Sequence, residues 1–201
     1  MKHQLLAGFL IFCITVSCFQ LQAQERERRT TKNDIKITLL SLGSGSARFT
    51  YERAFTPEYA AEVTVGLIGC GWDFIHHLDE QRGAVLKGAF KFTLIPRAKA
   101  TSWLDGFYIK PEFVASIFRY REKALDHIDP LFSATNYTRC FAIMGEIGYQ
   151  LVARWFVFDV YAGLGPSFGH NNPLNYYHGF MNFPAEGHLA MTAGFRIGVA
   201  F

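Results

Sequence analysis

Apolar residues occupy every second place along most of this chain, and no stretch carries a long helical periodicity. Alternation of period two sends successive side chains to opposite faces of a strand. Eight segments carry it: Ile35–Leu42, Ala47–Ala54, Tyr59–Ile68, Arg82–Leu94, Gly106–Tyr120, Phe141–Arg154, Phe156–Gly165 and Leu189–Phe201. The last, LAMTAGFRIGVAF, shows the pattern most openly. Leu189, Met191, Ala193, Phe195, Ile197, Val199 and Phe201 alternate with small residues, among which Arg196 stands alone. Neighbouring strands joined in order by turns predict an all-β antiparallel meander with no helix between strands.

The connections sort by length. FTPE (Phe55–Glu58) and the junction at Trp155 are tight, and Ile95–Asp105 is moderate, whereas 69–81, 121–136 and 166–188 are long. Gly43–Ser46 is the one short link on the long-loop side. With eight strands, odd and even links fall at opposite ends. Compact turns at one end and long loops at the other are the layout of a transmembrane barrel with short periplasmic turns and longer external loops.

Alternation by itself does not say which face is outside, because a soluble lipocalin-type barrel has the same period turned inside out. The polar face carries Lys36, Arg48, Glu52, Glu62, Lys87, Lys91, Lys110, Glu112, Glu146, Asp159 and Arg196, with Gly148, Gly163, Gly165, Gly194 and Gly198. Six cations and five anions among small residues suit a narrow interior in which the charges neutralise one another. The apolar face is bulky throughout, with Phe49, Tyr51, Leu86, Phe90, Phe92, Phe113, Ile147, Tyr149, Phe158 and Phe195 among its members. An eight-stranded interior barely holds its own side chains, so that set belongs outside, toward lipid. Trp72, Trp103 and Trp155 fall at strand ends, where interfacial aromatic girdles lie.

The stretches YERAFTPEYAAEVTVG (Tyr51–Gly66), GEIGYQLVARWFVFDVYAGLGPSFG (Gly145–Gly169) and the closing GFRIGVAF resemble the small eight-stranded outer-membrane β-barrel proteins of Gram-negative bacteria, the OmpA-like transmembrane-barrel group. The likeness is especially to stand-alone barrels, and it spans the mature chain as pattern. It implies a closed up-and-down barrel in outer-membrane lipid. It also implies that Phe201 is the assembly signal read by the barrel-assembly machinery. Two residues strain the pattern: Pro111 lies inside the fifth strand, implying a bulge or kink, and Arg119 falls on the lipid face near the external rim.

The start of the chain has a secretory layout. Lys2 and His3 precede an apolar run, Leu5–Val16, too short to span a bilayer as a helix. Residues 1–24 read as a cleaved signal peptide, 25–34 as a flexible periplasmic lead-in and 35–201 as the barrel; lipid attachment at Cys18 is the alternative processing. Removing Lys2 from the 20 basic residues leaves 19 against 17 acidic, too close to neutrality to imply a nucleic-acid partner. Cys70 and Cys140 either pair in an oxidising compartment or remain as unpaired small residues.

No cofactor is implied. His76, His77, His127, His170, His178 and His188 all fall in long loops and read as polar surface residues, since their spacing suits no metal site. Ser167–His188 resembles, faintly, the active-site region of outer-membrane lipid A deacylases, but Asn172 stands where the nucleophilic serine belongs. Tyr176, Tyr177, Phe180 and Phe183 either form a contact patch or pack over the barrel mouth. The expected role is structural or interactive, with loops 121–136 and 166–188 meeting an extracellular ligand. Rival readings are a lipid-modifying hydrolase and a soluble periplasmic barrel that binds an apolar ligand.

Overall fold

The computed structural model describes residues 31–73, 79–96, 102–121, 135–169, 175–183 and 188–201. Eight strands form the wall: β1 (Asn33–Thr38), β2 (Ser44–Ala54), β3 (Tyr59–Asp73), β4 (Asp79–Pro96), β5 (Gly106–Arg121), β6 (Thr135–Ala153), β7 (Phe156–Gly169) and β9 (Leu189–Ala200). A helical turn, α1 (Leu39–Leu42), and a two-residue β8 (Met181–Asn182) complete the elements. Successive wall strands pair antiparallel, and β1 also pairs with β9, so the sheet closes as an up-and-down barrel. The closing seam is short, running from Asp34↔Ala200 to Thr38↔Arg196. Phe201 extends it by exchanging backbone hydrogen bonds with Asn33 at 2.9 and 3.1 Å, its own side chain 58% exposed.

The two faces separate as the alternation requires. On β6 every second residue from Thr138 to Val152 is buried, while those between are exposed or nearly so. Phe90, Phe113, Ile143, Ile147 and Leu164 point outward and are 41–56% exposed. Lys36, Glu52, Glu62, Lys110 and Arg196 point inward and are at most 2% exposed. Greasy side chains are outside, and the charges are within.

Several elements depart from the alternation. β1 begins at Asn33 and stops at Thr38, because the next residues turn into α1. There Ser41 Oγ donates to Thr38 O at 2.6 Å and Ser44 Oγ donates to Ser41 O at 3.1 Å. Such local bonds offer the backbone an alternative to the ladder. β3 runs on to Asp73 through Gly69, whose φ of 93° lies in the region glycine favours. Pro111 makes no bulge: pairing passes from Ala89↔Glu112 to Phe92↔Ile109 without a register shift, and only the rungs beside the proline are skipped. Cys70 and Cys140 do not form a disulfide with each other; the first is exposed and the second buried.

Connections close both mouths. At the end that carries Thr31 and Phe201, Ser102–Asp105 folds across the opening. Ser102 Oγ donates to Thr31 O at 3.0 Å, and Leu104 is buried among Ala54, Ala60, Val152, Val157 and Ala200. Trp103 is half-buried against this cluster beneath Lys32, whose Nζ lies 4.1 Å from the ring. It is therefore not a rim residue facing outward; Trp72 and Trp155, 68% and 61% exposed, are.

At the far end, residues 175–182 form a small hairpin whose tip enters the barrel. Tyr177 N–H donates to Phe180 O at 2.9 Å, and Asn182 N–H donates to Asn175 O at 2.8 Å. His178 turns the tip with a φ of 58°. β8 pairs with Ala190 and Met191 beyond the reach of short β1. Tyr177 and Phe180 stack at 5.0 Å and bury with Val85, Val114, Phe118, Met144 and Ala190. These aromatics therefore pack into the mouth. His178, expected at the surface, is buried, edge-on to Phe118 at 5.0 Å and within hydrogen-bond reach of Gln81 Oε1.

The hairpin tip has no spare room. A Cβ on Gly179 would lie 2.7 Å from Val114 Cγ1 and 3.2 Å from Val85 Cγ1. Gly179→Val is expected to cost about 1–3 kcal/mol by overpacking and to lift the hairpin. Faster chymotryptic cutting at Tyr177 would report the lifting; an unchanged rate would show that the tip does not depend on this contact.

Candidate functional site

Between the two apolar caps lies a layer made almost entirely of charge. Its cations are Lys36, Arg48, Lys87, Lys91, Lys110 and Arg196, and its anions are Asp34, Glu52, Glu62, Glu112, Glu146 and Asp159, all buried. Asp34 lies one residue before the first segment that alternation defines. Including it brings the layer to balance, six against six.

Two residues act as hubs. The Lys36 ammonium donates to Glu52, to Glu62 Oε1 at 2.9 Å and to Gln150 Oε1 at 3.1 Å, with Asp159 at 3.4 Å and Asp34 at 3.6 Å. Its three N–H donors are therefore all used. Glu62 is the anionic counterpart, accepting from Lys36, Lys110 and Arg196, the last at 3.0 Å. Lys110 reaches Glu146 at 3.1 Å and Glu112 at 3.4 Å, and Lys87 donates to Glu112 at 2.6 Å. Lys91 donates to Glu52 and to Gln150, both at 2.7 Å.

Two tyrosines fill the space between charges. Tyr108 donates to Asp159 Oδ1 at 2.7 Å and lies under Lys91 at 4.3 Å, and Tyr161 stacks on the Arg196 guanidinium at 4.0 Å. Small neighbours make this possible. A Cβ on Gly148 would meet Tyr108 Oη at 2.4 Å, and one on Gly194 would meet the Tyr161 ring at 2.4 Å. The inner-face glycines thus reserve room for rings on adjacent strands.

The structure brings ten of the eleven sequence-derived charged residues into ion pairs. Arg48 stands apart: it is 6% exposed and its Nε has no hydrogen-bond partner. Asp34, Gln150, Tyr108 and Tyr161 were not in that set. Asp34, Tyr108 and Tyr161 each lie two places from one of its members and Gln150 lies four from Glu146, always on the same strand and face, so extending the parity would have found them.

The arrangement holds charge in place, each ion pair drawing on residues from different strands or from alternate places on one strand. One cavity at the far end, of about 10 Å³, is lined by Cys140, Ser167, Tyr177, Phe180, Asn182 and His188, room for about one water. Another, about 190 Å³, opens at the rim beside Arg119, Tyr120, Arg121 and Thr135. Neither is an apolar ligand chamber inside the wall. Ser167 Oγ donates to Asn182 Oδ1 at 2.8 Å, an amide that does not activate a hydroxyl as a base would. His76, His77, His127 and His170 lie outside the described residues, and His188 is exposed. Among the described residues, no group of three His, Cys, Asp or Glu side chains could hold a metal ion.

No protein-family model, curated protein or solved structure matches this chain, so its own geometry carries the functional reading.

Proposed function

We propose that this chain is an outer-membrane β-barrel protein with a structural or surface-interaction role, its lumen sealed by its own side chains. The observation that carries the reading is the inversion of its faces. Phe49, Val63, Leu86, Phe113, Ile143, Ile147 and Leu164 form an outward band, 50–56% exposed, around an interior whose middle layer is charged. Monomeric soluble proteins rarely expose contiguous apolar patches beyond a few hundred Å², whereas a hydrocarbon solvent favours such a band. In this orientation the termini and the tight turns lie on the periplasmic side, and the inserted hairpin closes the external mouth.

Burial of Tyr177, His178 and Phe180 moves the contact surface away from the middle of loop 166–188. The proposed contact surface is then loop 121–136, most of which lies outside the described residues. Lipid and, during insertion, the barrel-assembly machinery are the other partners.

The test is fractionation of cells expressing the full chain, with gel mobility compared before and after heating. The expected result is recovery in the outer-membrane fraction, with a compact band that shifts on boiling. Recovery as a monodisperse species in detergent-free buffer would overturn the reading.

A further inference from the structure

We propose that the outward face of the far rim binds the phosphate groups of a membrane lipid headgroup through Arg82, Arg119 and Arg139, an inference that rests on the membrane-spanning reading. The three arginines sit on three neighbouring strands, β4, β5 and β6. Arg82 is directly opposite Arg119 in the β4–β5 register. Arg119 is opposite Tyr137, two places from Arg139, in the β5–β6 register. All three are exposed. Directly opposed residues on one face have Cβ atoms about 4.5–5.5 Å apart and diagonal ones about 7–8 Å, so three guanidinium groups share one patch.

Among the described residues, none of the three takes part in an ion pair. Like charges directly opposite one another destabilise a sheet. An anion seated among them reverses that sign, and a phosphate matches the guanidinium fork in charge and geometry. At the terminal end, by contrast, the exposed Arg53 and Arg154 lie on β2 and the β6–β7 turn, which are not neighbours.

Position selects a lipid as the source of the phosphate. One step toward the barrel waist, the outward residues are Ala84, Ile117 and Phe141, the edge of the apolar band. Trp72 and Tyr137, 68% and 70% exposed, stand on the same rim, as interfacial aromatics do. The open depression of about 190 Å³ beside Arg119 gives a phosphate a concave seat. A ligand here touches acyl chains below and water above, and a lipid headgroup occupies that boundary.

The experiment uses the full chain, first floated with phosphatidylcholine vesicles, then taken into mild detergent. Retained diphosphoryl lipid A is counted there by native mass spectrometry. Wild type is expected to retain the lipid, and Arg82→Gln/Arg119→Gln/Arg139→Gln to lose at least tenfold in apparent affinity while keeping its heat-modifiable mobility. Arg119→Gln alone, central in the patch, is expected to lose several-fold, and Arg119→Lys less. Equal retention by the triple variant overturns the arginine site and leaves the membrane reading standing. So does displacement of lipid A by an equal concentration of inorganic phosphate. Failure of the wild-type chain to float with vesicles overturns both.

Discussion

Glu62→Gln is expected to lower the unfolding free energy of the barrel by about 3–5 kcal/mol, the cost of leaving a buried charge uncompensated. The substitution keeps the shape of the side chain and removes the anion that Lys36, Lys110 and Arg196 share. A neutral amide still accepts a hydrogen bond through its oxygen, but its nitrogen only donates, and all three neighbours are donors. The effect should appear as a lower urea midpoint for the refolded chain, with little change in slope. Removing one cation as well tests whether charge balance is the cause. Lys110→Met in the Glu62→Gln background should restore part of the loss, with a coupling of about 0.5–3 kcal/mol. If Glu62→Gln instead changes stability by no more than about 0.5 kcal/mol, as an isolated surface substitution does, the layer is wet and the charges are not sealed.

The same layer marks what the sequence makes legible. Parity along a strand is a local property, so the inward faces of β3, β5, β6 and β7 can be read directly from residues such as Glu62, Lys110, Glu146 and Asp159. Pairing between strands is not local. That Tyr108 lies against Gly148, and Tyr161 against Gly194, depends on register across the wall, and no single segment carries it. Alternation carries β1 on to Leu42 because Leu39, Leu40 and Leu42 continue an apolar run, whereas in the fold Ser41 bonds back to Thr38 and the local bond wins over the ladder.

The hairpin at 175–182 is half legible: its aromatics admit packing over the mouth as one of two alternatives, and composition does not choose between them. Its aromatics and histidine have the composition of a surface loop, and only a mouth left open by the short β1 gives them somewhere to bury. Once β1 stops at Thr38, the edge of β9 at Ala190 and Met191 is unpaired by the wall, and β8 covers it. Loop burial here follows from strand length, a property of the closed barrel as a whole. The arginine rim sits between these cases: each residue is visible in its own strand, but their convergence appears only in register.

Phe113→Arg separates a lipid-facing band from a merely exposed one. Phe113 lies near the middle of β5, 50% exposed, stacked beside Phe141 at 6.1 Å between centroids. In hydrocarbon an arginine at the midplane of a barrel costs about 2–4 kcal/mol. In water the same change at an exposed position falls within about 0.5 kcal/mol and improves solubility. Equilibrium unfolding of the chain refolded into phosphatidylcholine vesicles should therefore show the larger loss. Arg119, at the rim, supplies the internal comparison, since a charge there costs only about 0–1 kcal/mol and Arg119→Leu should gain little. A depth-dependent difference between the two positions requires a solvent that changes along the barrel axis, and bulk water does not. Equal small effects at both would mean that the outward phenylalanines face water, and the assignment to a membrane would fall with them.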